Sequence, residues 1–474
     1  MMGIQPLVLW TDLLLFGLLG CMALAAWSAR GSEPMRAAWR RVGESSVGMT
    51  ALSLLMLFLA VGVLDSLHYR ERLAPAAGGP VGADARAQLS TEVRSALDAL
   101  AAPLRTRVEK TYSAPLAYQL FSRQTVEGPD GIQRREFPRL KFGGASVKYP
   151  EEDLSGDIVG RIGMGLAMAA VTWAVFAAVL VKGVAVSRRV PVGAAWRAIW
   201  RGKGGLAWRA VLATLGVMCL LIGPLAALAT EYHVFGTDKV GQDVLFLTLK
   251  SIRTALVIGT LTTLVTLPLA VVLGILAGYV GGWVDDAIQY IYTVLNSIPS
   301  VLLIAAAVLM MQVVIDTHPQ WFETAAERAD ARLLALCVIL GMTSWTSLCR
   351  LLRGETLKLR ELEYVQAARA FGVSTTRILA RHVLPNLMHL VLIALVMDFS
   401  GLVLAEAVLS YVGIGVDPGT VSFGTMINAA RMELAREPMV WWSLVAAFIF
   451  MFVLVLAANL FADVVRDAFD PRAS

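Results

Sequence analysis

Residues 363–386 read EYVQAARAFGVSTTRILARHVLPN and lie between two long apolar stretches of the chain. Most of residues 361–370 are good helix formers, and Gly372 permits a backbone turn that a Cβ atom would hinder. Ser374 can cap a second helix, and Pro385 suits the first turn of the apolar stretch that follows. The pattern predicts a short helix, a turn and a second short helix.

The composition of the whole chain places this segment in a membrane protein. Of 474 residues, 57% are hydrophobic and 16% are charged, whereas about 25% of residues in soluble domains are charged. An ordinary cytosolic protein, a disordered chain and a nucleic-acid binder are therefore excluded. A bilayer core about 30 Å thick requires roughly 20 apolar residues in helical form. Nine stretches fit: 6–27, 49–66, 159–184, 209–230, 254–279, 289–313, 332–352, 386–413 and 440–463.

Basic residues in the loops set the orientation of these predicted spans, because Lys and Arg near span ends are retained on the cytoplasmic side. Three loops carry them: Arg30, Arg36, Arg40 and Arg41; Lys182, Arg188, Arg189, Arg197, Arg201, Lys203 and Arg209; and Arg350, Arg353, Lys358, Arg360, Arg369, Arg377 and Arg381. With these loops in the cytoplasm, the N-terminus and residues 67–158 lie outside, and the C-terminus lies inside. The net charge of +5 is spread over several segments, so it does not indicate an anionic substrate.

The predicted outside segment, 67–158, contains an apolar pattern at helical spacing. Its members are Leu89, Val93, Leu97, Leu100, Leu104 and Val108. This spacing predicts an amphipathic helix, bent at Pro103. The helix could contact a partner or pack only on the chain's own membrane core, and the sequence leaves both open.

The segment that contains Gly372 resembles the EAA loop of the membrane subunits of ABC importers. That pattern is Glu-Ala-Ala, three residues, Gly, nine residues, Ile, one residue and Leu-Pro. The matching positions are Gln366 (for Glu), Ala367, Ala368, Gly372, His382 (for Ile), Leu384 and Pro385. The resemblance implies that residues 355–386 form a coupling loop, seated in a groove of a separate ATP-binding subunit.

A second stretch, residues 233–243, reads HVFGTDKVGQD and is followed by Arg253. It is similar to the periplasmic segment of dipeptide and oligopeptide permeases, with Gln242 in place of an Arg. The matching residues are Gly236, Thr237, Asp238, Gly241 and Asp243. Weaker matches are residues 295–299, 406–415 and 466–472.

Together these matches cover about residues 205–474 and imply an all-α type I ABC importer permease core of six helices. Two membrane helices in 1–66, the outside segment 67–158, and a third helix with a cytoplasmic loop in 159–204 precede it. The resemblance also implies a bacterial inner-membrane location. The implied partners are a second homologous permease subunit, two ATP-binding subunits and a periplasmic or lipid-anchored substrate-binding protein.

The function that the resemblance implies is ATP-driven import of dipeptides or oligopeptides. The sequence contains no G-x-x-x-x-G-K-[ST] phosphate loop, so ATP hydrolysis is assigned to another subunit, and neither catalytic residues nor a cofactor are predicted. The histidines show no ligand spacing, and no metal site is predicted. Nickel permeases share the same core, however, so a nickel or other small-solute substrate stays open. An ion-gradient-driven carrier and a membrane-embedded enzyme are the rivals from other classes.

Polar residues at bilayer depth are functional candidates, because ionisable groups there require a partner or a cavity. Four are predicted to border the translocation path: Asn296, Ser297, Asp398 and Glu406. The alternative for Glu406 is solvation near the outer interface, and for Asp398 a buried, hydrogen-bonded structural role. A structural role is predicted for Asp12, either near the outer surface or paired with Arg161.

Overall fold

The computed structural model describes residues 4–29, 33–72, 89–127, 133–202, 205–417 and 419–469. Arg30, Lys203 and the end of the 466–472 match lie outside the described residues. Within them, seven helices are long and apolar enough to cross a membrane, and a bent helix pair could form an eighth span. The predicted all-α membrane fold is confirmed.

The N-terminal part contains two of these seven helices, one shorter apolar helix at Trp10–Leu24 and two small sheets. In chain order its elements are β1 (Ile4–Leu7), α1 (Trp10–Ala29), α2 (Glu33–Glu44), α3 (Ser46–Ser66), β2 (His68–Arg72), β3 (Leu89–Ser95), α4 (Ala96–Leu100), α5 (Ala102–Thr106), β4 (Gln124–Glu127), β5 (Gln133–Glu136), α6 (Pro150–Arg188) and α7 (Val192–Trp200). One antiparallel sheet has the order β1-β2-β3, with Gln5 opposite Arg70 and Tyr69 opposite Arg94; β4 pairs with β5.

The remaining elements follow in the order α8 (Trp208–Ala229), α9 (Val244–Val280), α10 (Gly282–Ser297), α11 (Ser300–Thr317), a 3-10 turn (Pro319–Trp321), α12 (Ala325–Ser344), α13 (Thr346–Arg360), α14 (Glu363–Ala370), α15 (Thr375–Ile378), a π-helical turn (Leu379–Val383), α16 (Leu384–Val412), α17 (Phe423–Glu433) and α18 (Trp442–Phe469). Helix α9 is central and packs against α3, α12, α13, α16 and α18. We call the end of the bundle that carries the β-sheets the sheet end, and the end that carries α14 the loop end.

The amphipathic helix predicted from Leu89 to Val108 is wrong. Residues 89–95 form strand β3, Leu97, Leu100 and Leu104 fall on α4 and α5, which have five residues each, and Val108 lies beyond α5. Pairing of β3 with β2 satisfies the backbone of residues 89–95, a tertiary contact that the local spacing does not register. Ser95 then ends the strand, because its side chain and that of Asp98 form a capping box at the start of α4.

Two predicted spans are interrupted by breaks. The stretch 289–313 is divided between α10 and α11 at Ile298 and Pro299, where Ile298 has an extended backbone (ψ 132°). The residue before a proline is disfavoured in helical conformation, which explains the break. The stretch 332–352 is divided between α12 and α13, which meet at Trp345 with a 40° bend.

Candidate functional site

The segment from α14 to α16 forms a helix, a turn and a second helix. Gly372 has a φ of +74° in the turn, which satisfies the prediction of a glycine-dependent backbone. Ser374 occupies the N-cap position of α15, but its side chain makes no capping hydrogen bond. The second helix is not a separate short one, since α15 continues through the π-helical turn into α16. The coupling loop is therefore connected directly to a membrane helix.

One face of this segment is anchored in the protein. Val365, Ile378 and Val383 are 2%, 1% and 0% exposed and belong to an apolar cluster with Leu352 of α13. Ala368 is half-buried and packs against the same cluster. The helical hairpin is thus held to the bundle by its own apolar contacts, and Ala368 faces the chain itself.

The opposite face of the segment is exposed. Ala367 is exposed, and Phe371 at the tip of the turn is 88% exposed. A hydrogen bond of 3.1 Å from Asn386 Nδ2 to the Tyr364 hydroxyl connects α14 to the start of α16. This bond helps to fix the position of α14 and of the turn that follows it. Phe371 is not among the residues predicted from the sequence. A large aromatic residue next to the turn glycine was the feature of the sequence that could have identified it. Exposed aromatic residues of this kind mark protein contacts.

The remaining residues of the predicted coupling set differ in exposure and packing. Gln366 is exposed, and its Nε2 donates to the backbone carbonyl of Glu361 at 3.2 Å. Leu384 packs against the apolar cluster that holds Val365. Pro385 lies in the first turn of α16, as predicted. The set therefore contains exposed members and anchoring members, which have different roles.

Helix α13 connects the loop to the centre of the bundle. Gly274 and Gly278 of α9 face α13 so closely that an added Cβ would lie 2.8 Å from the Cys349 carbonyl oxygen and 2.6 Å from Thr356 Cβ, respectively. On its other side, Arg353 of α13 makes two hydrogen bonds of 2.6 and 2.7 Å to the Asp285 carboxylate of α10. Helix α13 therefore contacts both α9 and α10.

The motif at 233–243 lies at the sheet end and holds the segment before α6. Gly236 and Gly241 have φ values of +71° and +79°. An added Cβ at these positions would collide with the backbone carbonyl oxygens of Ser113 and Glu109, respectively. Glycine is therefore required here both for the backbone conformation and for the close approach of residues 109–113.

The other motif residues make hydrogen bonds in the same place. Thr237 Oγ1 donates to the Thr111 carbonyl at 2.9 Å and accepts from the Ser113 amide at 2.7 Å. Asp238 accepts from the amides of residues 240 and 242, and Asp243 caps α9 by accepting from the amides of residues 245 and 246. The contacts of this motif are thus structural and internal to the chain.

His233 is buried between two carboxylates. Its Nδ1 lies 2.7 Å from Asp243 Oδ2, and its Nε2 lies 3.5 Å from Glu109 Oε1. Burial alone would lower the pKa of His233, but the hydrogen bonds to Asp243 and Glu109 outweigh it and raise the pKa to about 9. Burial opposes ionisation of Glu109, yet His233 and three backbone amides lower its pKa to about 2. The cluster is charged at neutral pH and links residues 109–143 to α9.

A second buried charge cluster joins α1 to the core. Arg253 of α9 lies 2.6 Å from Asp12 and 3.8 Å from Asp330, and Asp12 also bonds His68 Nδ1 at 2.7 Å. The structural role predicted for Asp12 agrees with these contacts, but the alternative partner Arg161 is wrong. Arg161 instead pairs with Asp157, four residues before it on α6. The basic partner of Asp12 could not be identified from the sequence, because Arg253 is 241 positions away from Asp12 in the chain.

Lys250, one turn before Arg253, makes the equivalent link to α3 and α4. Its Nζ lies 2.6 Å from Asp65 and 3.0 Å from Asp98. The N-terminal helices α1, α3 and α4 are therefore joined to α9 by ion pairs as well as by apolar packing.

The four predicted path residues have different surroundings. Glu406 is 1% exposed and accepts hydrogen bonds from Ser410 (2.6 Å) and Ser422 (2.8 Å), so the alternative of a solvated Glu406 is wrong. Asp398 is half-buried at the middle of α16. No described residue forms a hydrogen bond or ion pair with it. Their assignment to a translocation path stays a prediction.

Asn296 and Ser297 lie at the end of α10, beside the break before α11, and both are exposed. Asn296 Oδ1 accepts a hydrogen bond of 3.1 Å from Thr346 of α13. Ser297 Oγ donates to the Val294 carbonyl in its own helix at 2.7 Å. The break therefore lies close to the start of α13.

Comparison with known proteins gives a family match and several relatives. Residues 270–474 match the sequence model of the binding-protein-dependent transport system inner membrane component. The oligopeptide transport system permease protein OppC of Mycobacterium tuberculosis is 34% identical over 241 residues, which cover 51% of this chain and 76% of that protein. The dipeptide transport system permease protein DppC of Bacillus subtilis is 29% identical over 292 residues, covering 59% and 85%. A chain of the MetNI methionine ABC transporter, solved in inward facing conformations, has 15% identity and a TM-score of 0.36, covering 48% and 97%.

Proposed function

The chain belongs to the family of binding-protein-dependent transport system inner membrane components, the permeases of ABC importers, and from that membership we propose that it imports peptides by coupling to a separate ATPase. Relatives named as oligopeptide and dipeptide permeases support peptides as the substrate class. The absence of a phosphate-loop motif from all 474 residues supports an external source of energy.

The observation that carries this proposal is the geometry of the coupling loop. Val365, Ile378 and Val383 anchor the hairpin, while Ala367 and Phe371 are left open to contact a partner. A partner groove that takes up Phe371 would bury a large apolar side chain, and buried aromatic anchors dominate binding energy at protein interfaces. We assign this groove to the ATP-binding subunit.

The mechanism follows from what the loop is attached to. Closure of two ATP-binding subunits displaces the hairpin, and the displacement reaches α16 through the continuous α15 and π-helical turn. It reaches α9 and α10 through α13, by the glycine contacts and the Arg353–Asp285 pair. The buried ion pairs hold the sheet end in place, so the loop end moves relative to it and access alternates.

The translocation path is proposed to run along α16 and the α10–α11 break, bordered by Asn296, Ser297, Asp398 and Glu406. A carboxylate in the middle of a membrane helix requires a partner or an aqueous cavity, and Asp398 fits this condition best. A second homologous permease would close the path on its other side. A periplasmic or lipid-anchored binding protein would deliver the peptide at the sheet end.

The proposed orientation places the loop end in the cytoplasm and the sheet end outside the bacterial inner membrane. The basic loops described above support it. In a variant without Cys21 and Cys219, Thr91→Cys should react with an impermeant thiol reagent in intact cells, and Gly193→Cys should not. Both positions are exposed, so access to the side of the membrane decides the result. Labelling of Gly193→Cys alone would reverse the orientation.

The experiment that tests the function is peptide uptake by the whole complex in proteoliposomes. We expect uptake that requires ATP and the binding protein and that persists when an ionophore collapses the proton gradient. Uptake abolished by the ionophore alone would instead assign the chain to a gradient-driven carrier. Uptake of nickel but not of peptides would contradict the proposed substrate class.

A further inference from the structure

Residues 158–230, which include most of α6, all of α7 and all of α8, contain only basic charges. No Asp or Glu occurs between Asp157 and Glu231. Seven basic residues lie within 182–209, which we call the basic corner: Lys182, Arg188, Arg189, Arg197, Arg201, Lys203 and Arg209. Lys203 is outside the described residues. This region precedes residues 270–474, which match the family model.

Helix α7 is held across the ends of α6 and α8 by one apolar face. Ala195 and Ile199 are 0% and 2% exposed and pack in a cluster with Val181 and Ala185 of α6 and Leu212 of α8. This packing fixes the opposite surface of α7, so its exposed side chains have a defined position.

The exposed surface of α7 combines aromatic and cationic side chains. Trp196 and Trp200 are exposed, and their rings meet edge to face with centroids 5.8 Å apart. Arg197 and Arg201 follow each tryptophan directly and are exposed as well. Tryptophans are enriched at membrane–water interfaces, and basic residues beside them suit an anionic lipid surface.

Other cations converge on the turn after α7. An added Cβ at Gly202 would lie 3.8 Å from Arg209 Nη1, and one at Gly205 would lie 4.0 Å from Arg188 Nη2. The turn has backbone φ values of +68° and +72° at these glycines, and their missing side chains leave the guanidinium groups accessible.

Five of the seven cations of the basic corner differ from exposed arginines elsewhere, because they form no ion pair with another described residue. Arg36, Arg40 and Arg436 form ion pairs within their own helix or turn. Among the residues that the structure describes, no ion pair involves Lys182, Arg189, Arg197, Arg201 or Arg209. The basic corner therefore presents several uncompensated positive charges beside a membrane.

We propose that the basic corner binds the headgroups of anionic phospholipids. The charges suit a phosphate-bearing headgroup, and clusters of four to eight basic residues next to a membrane helix attract anionic lipid. Retention of a loop in the cytoplasm requires positive charge alone. It does not require a helix packed crosswise with two tryptophans beside its arginines. Trp196 and Trp200 would lie at the level of the lipid headgroups. Their contact with lipid favours a phospholipid over a soluble phosphate as the ligand.

The test is the lipid that the full-length chain retains. The protein is reconstituted in bilayers with equal amounts of phosphatidylglycerol and phosphatidylcholine, extracted in mild detergent, and its bound lipid is quantified by mass spectrometry. We expect roughly fivefold enrichment of phosphatidylglycerol, abolished in the triple variant Arg197→Gln, Arg201→Gln, Arg209→Gln and retained in the matched Arg→Lys triple. Because these side chains are exposed, the variants keep the packed face of α7.

Three controls separate the sources of binding. The triple variant Arg36→Gln, Arg40→Gln, Arg436→Gln removes the same charge from paired positions and should keep the enrichment. Salt near 1 M, where the Debye length is about 3 Å, should reduce it, whereas millimolar inorganic phosphate should not. Equal enrichment in the Gln triple and the unmodified chain would overturn the proposal. Displacement by millimolar phosphate would also overturn it, by assigning the basic corner to a free anion.

Discussion

Helix α9 is held in different ways at its two ends. At the sheet end, Lys250 and Arg253 are fixed by ion pairs with carboxylates from α1, α3, α4 and α12, and those with Asp12 and Asp65 are also hydrogen bonds. At the loop end, Gly274 and Gly278 pack against the backbone of α13. Charge-assisted hydrogen bonds specify one geometry, whereas apolar contacts are non-directional and tolerate small displacements. This difference supports the proposed mechanism, in which the sheet end is the fixed base and the loop end moves.

The largest expected effect is from removing the cation at the fixed base. Arg253→Leu would leave Asp12 and Asp330 buried without their counter-charge, which typically costs about 3–5 kcal/mol. Thermal unfolding of the purified chain in detergent should therefore occur at a markedly lower temperature. Arg36→Leu, which removes an exposed ion pair on α2, is the matched control and should leave the unfolding temperature unchanged. Equal losses in the two variants would show that the base is not held by its charges.

A smaller effect is expected from pH at the His233 cluster. The pKa of His233 is raised from 6.5 to about 9 in the folded chain, so its stabilisation is complete below pH 6.5 and is lost as the pH rises through about 9. The contribution is on the order of a few kcal/mol. Proteolysis of residues 109–147 should accelerate between pH 7 and 10.

His233→Gln is the control for this pH effect. In this variant, residues 109–147 should be less protected from proteolysis at pH 6.5 than in the unmodified chain. Their rate of proteolysis should change little toward alkaline pH. An unchanged pH dependence in His233→Gln would assign the effect to another group.

The smallest effect on stability is expected at the loop end. Gly278→Ala places a Cβ against Thr356, and such overpacking costs about 1 kcal/mol or slightly more. The functional effect should be larger, because the added methyl group separates α9 from α13. We expect ATP hydrolysis by the complex to continue while peptide uptake per ATP falls. Gly401→Ala on α16, where an added Cβ meets nothing within 4 Å, should leave this ratio unchanged.

The coupling loop was the part best predicted from sequence, because its pattern is local. Gly372 lies in the turn and Pro385 in the first turn of α16, at the positions that the spacing indicated. The sequence did not reveal which face is exposed. Ala367 and Ala368 are adjacent in the motif, yet one is open and the other packs on the chain's own core. That distinction depends on α13 and α9, which lie elsewhere in the chain.

The N-terminal part was predicted less well, because its contacts join distant segments. Leu89 and Val93 have the spacing of a helix but lie in strand β3. Their pairing with β2 is a long-range contact, which the local pattern of apolar residues does not indicate. The partners of Asp12 were likewise missed, because Arg253 and His68 are brought to it only by the fold. Both errors concern residues whose environment is set by tertiary contacts.

The central claim is that the exposed face of the coupling loop binds the ATP-binding subunit. The most direct test measures how much of that subunit copurifies with tagged variants of the chain. Phe371→Asp and Ala367→Glu should reduce recovery about tenfold or more, since they place a charge in an apolar contact, and should leave the unfolding temperature of the chain unchanged. Phe371→Leu, which keeps an apolar side chain, should retain most of the subunit. Ala368→Glu should instead destabilise the chain itself. Full recovery of the ATP-binding subunit with Phe371→Asp and Ala367→Glu would contradict the account.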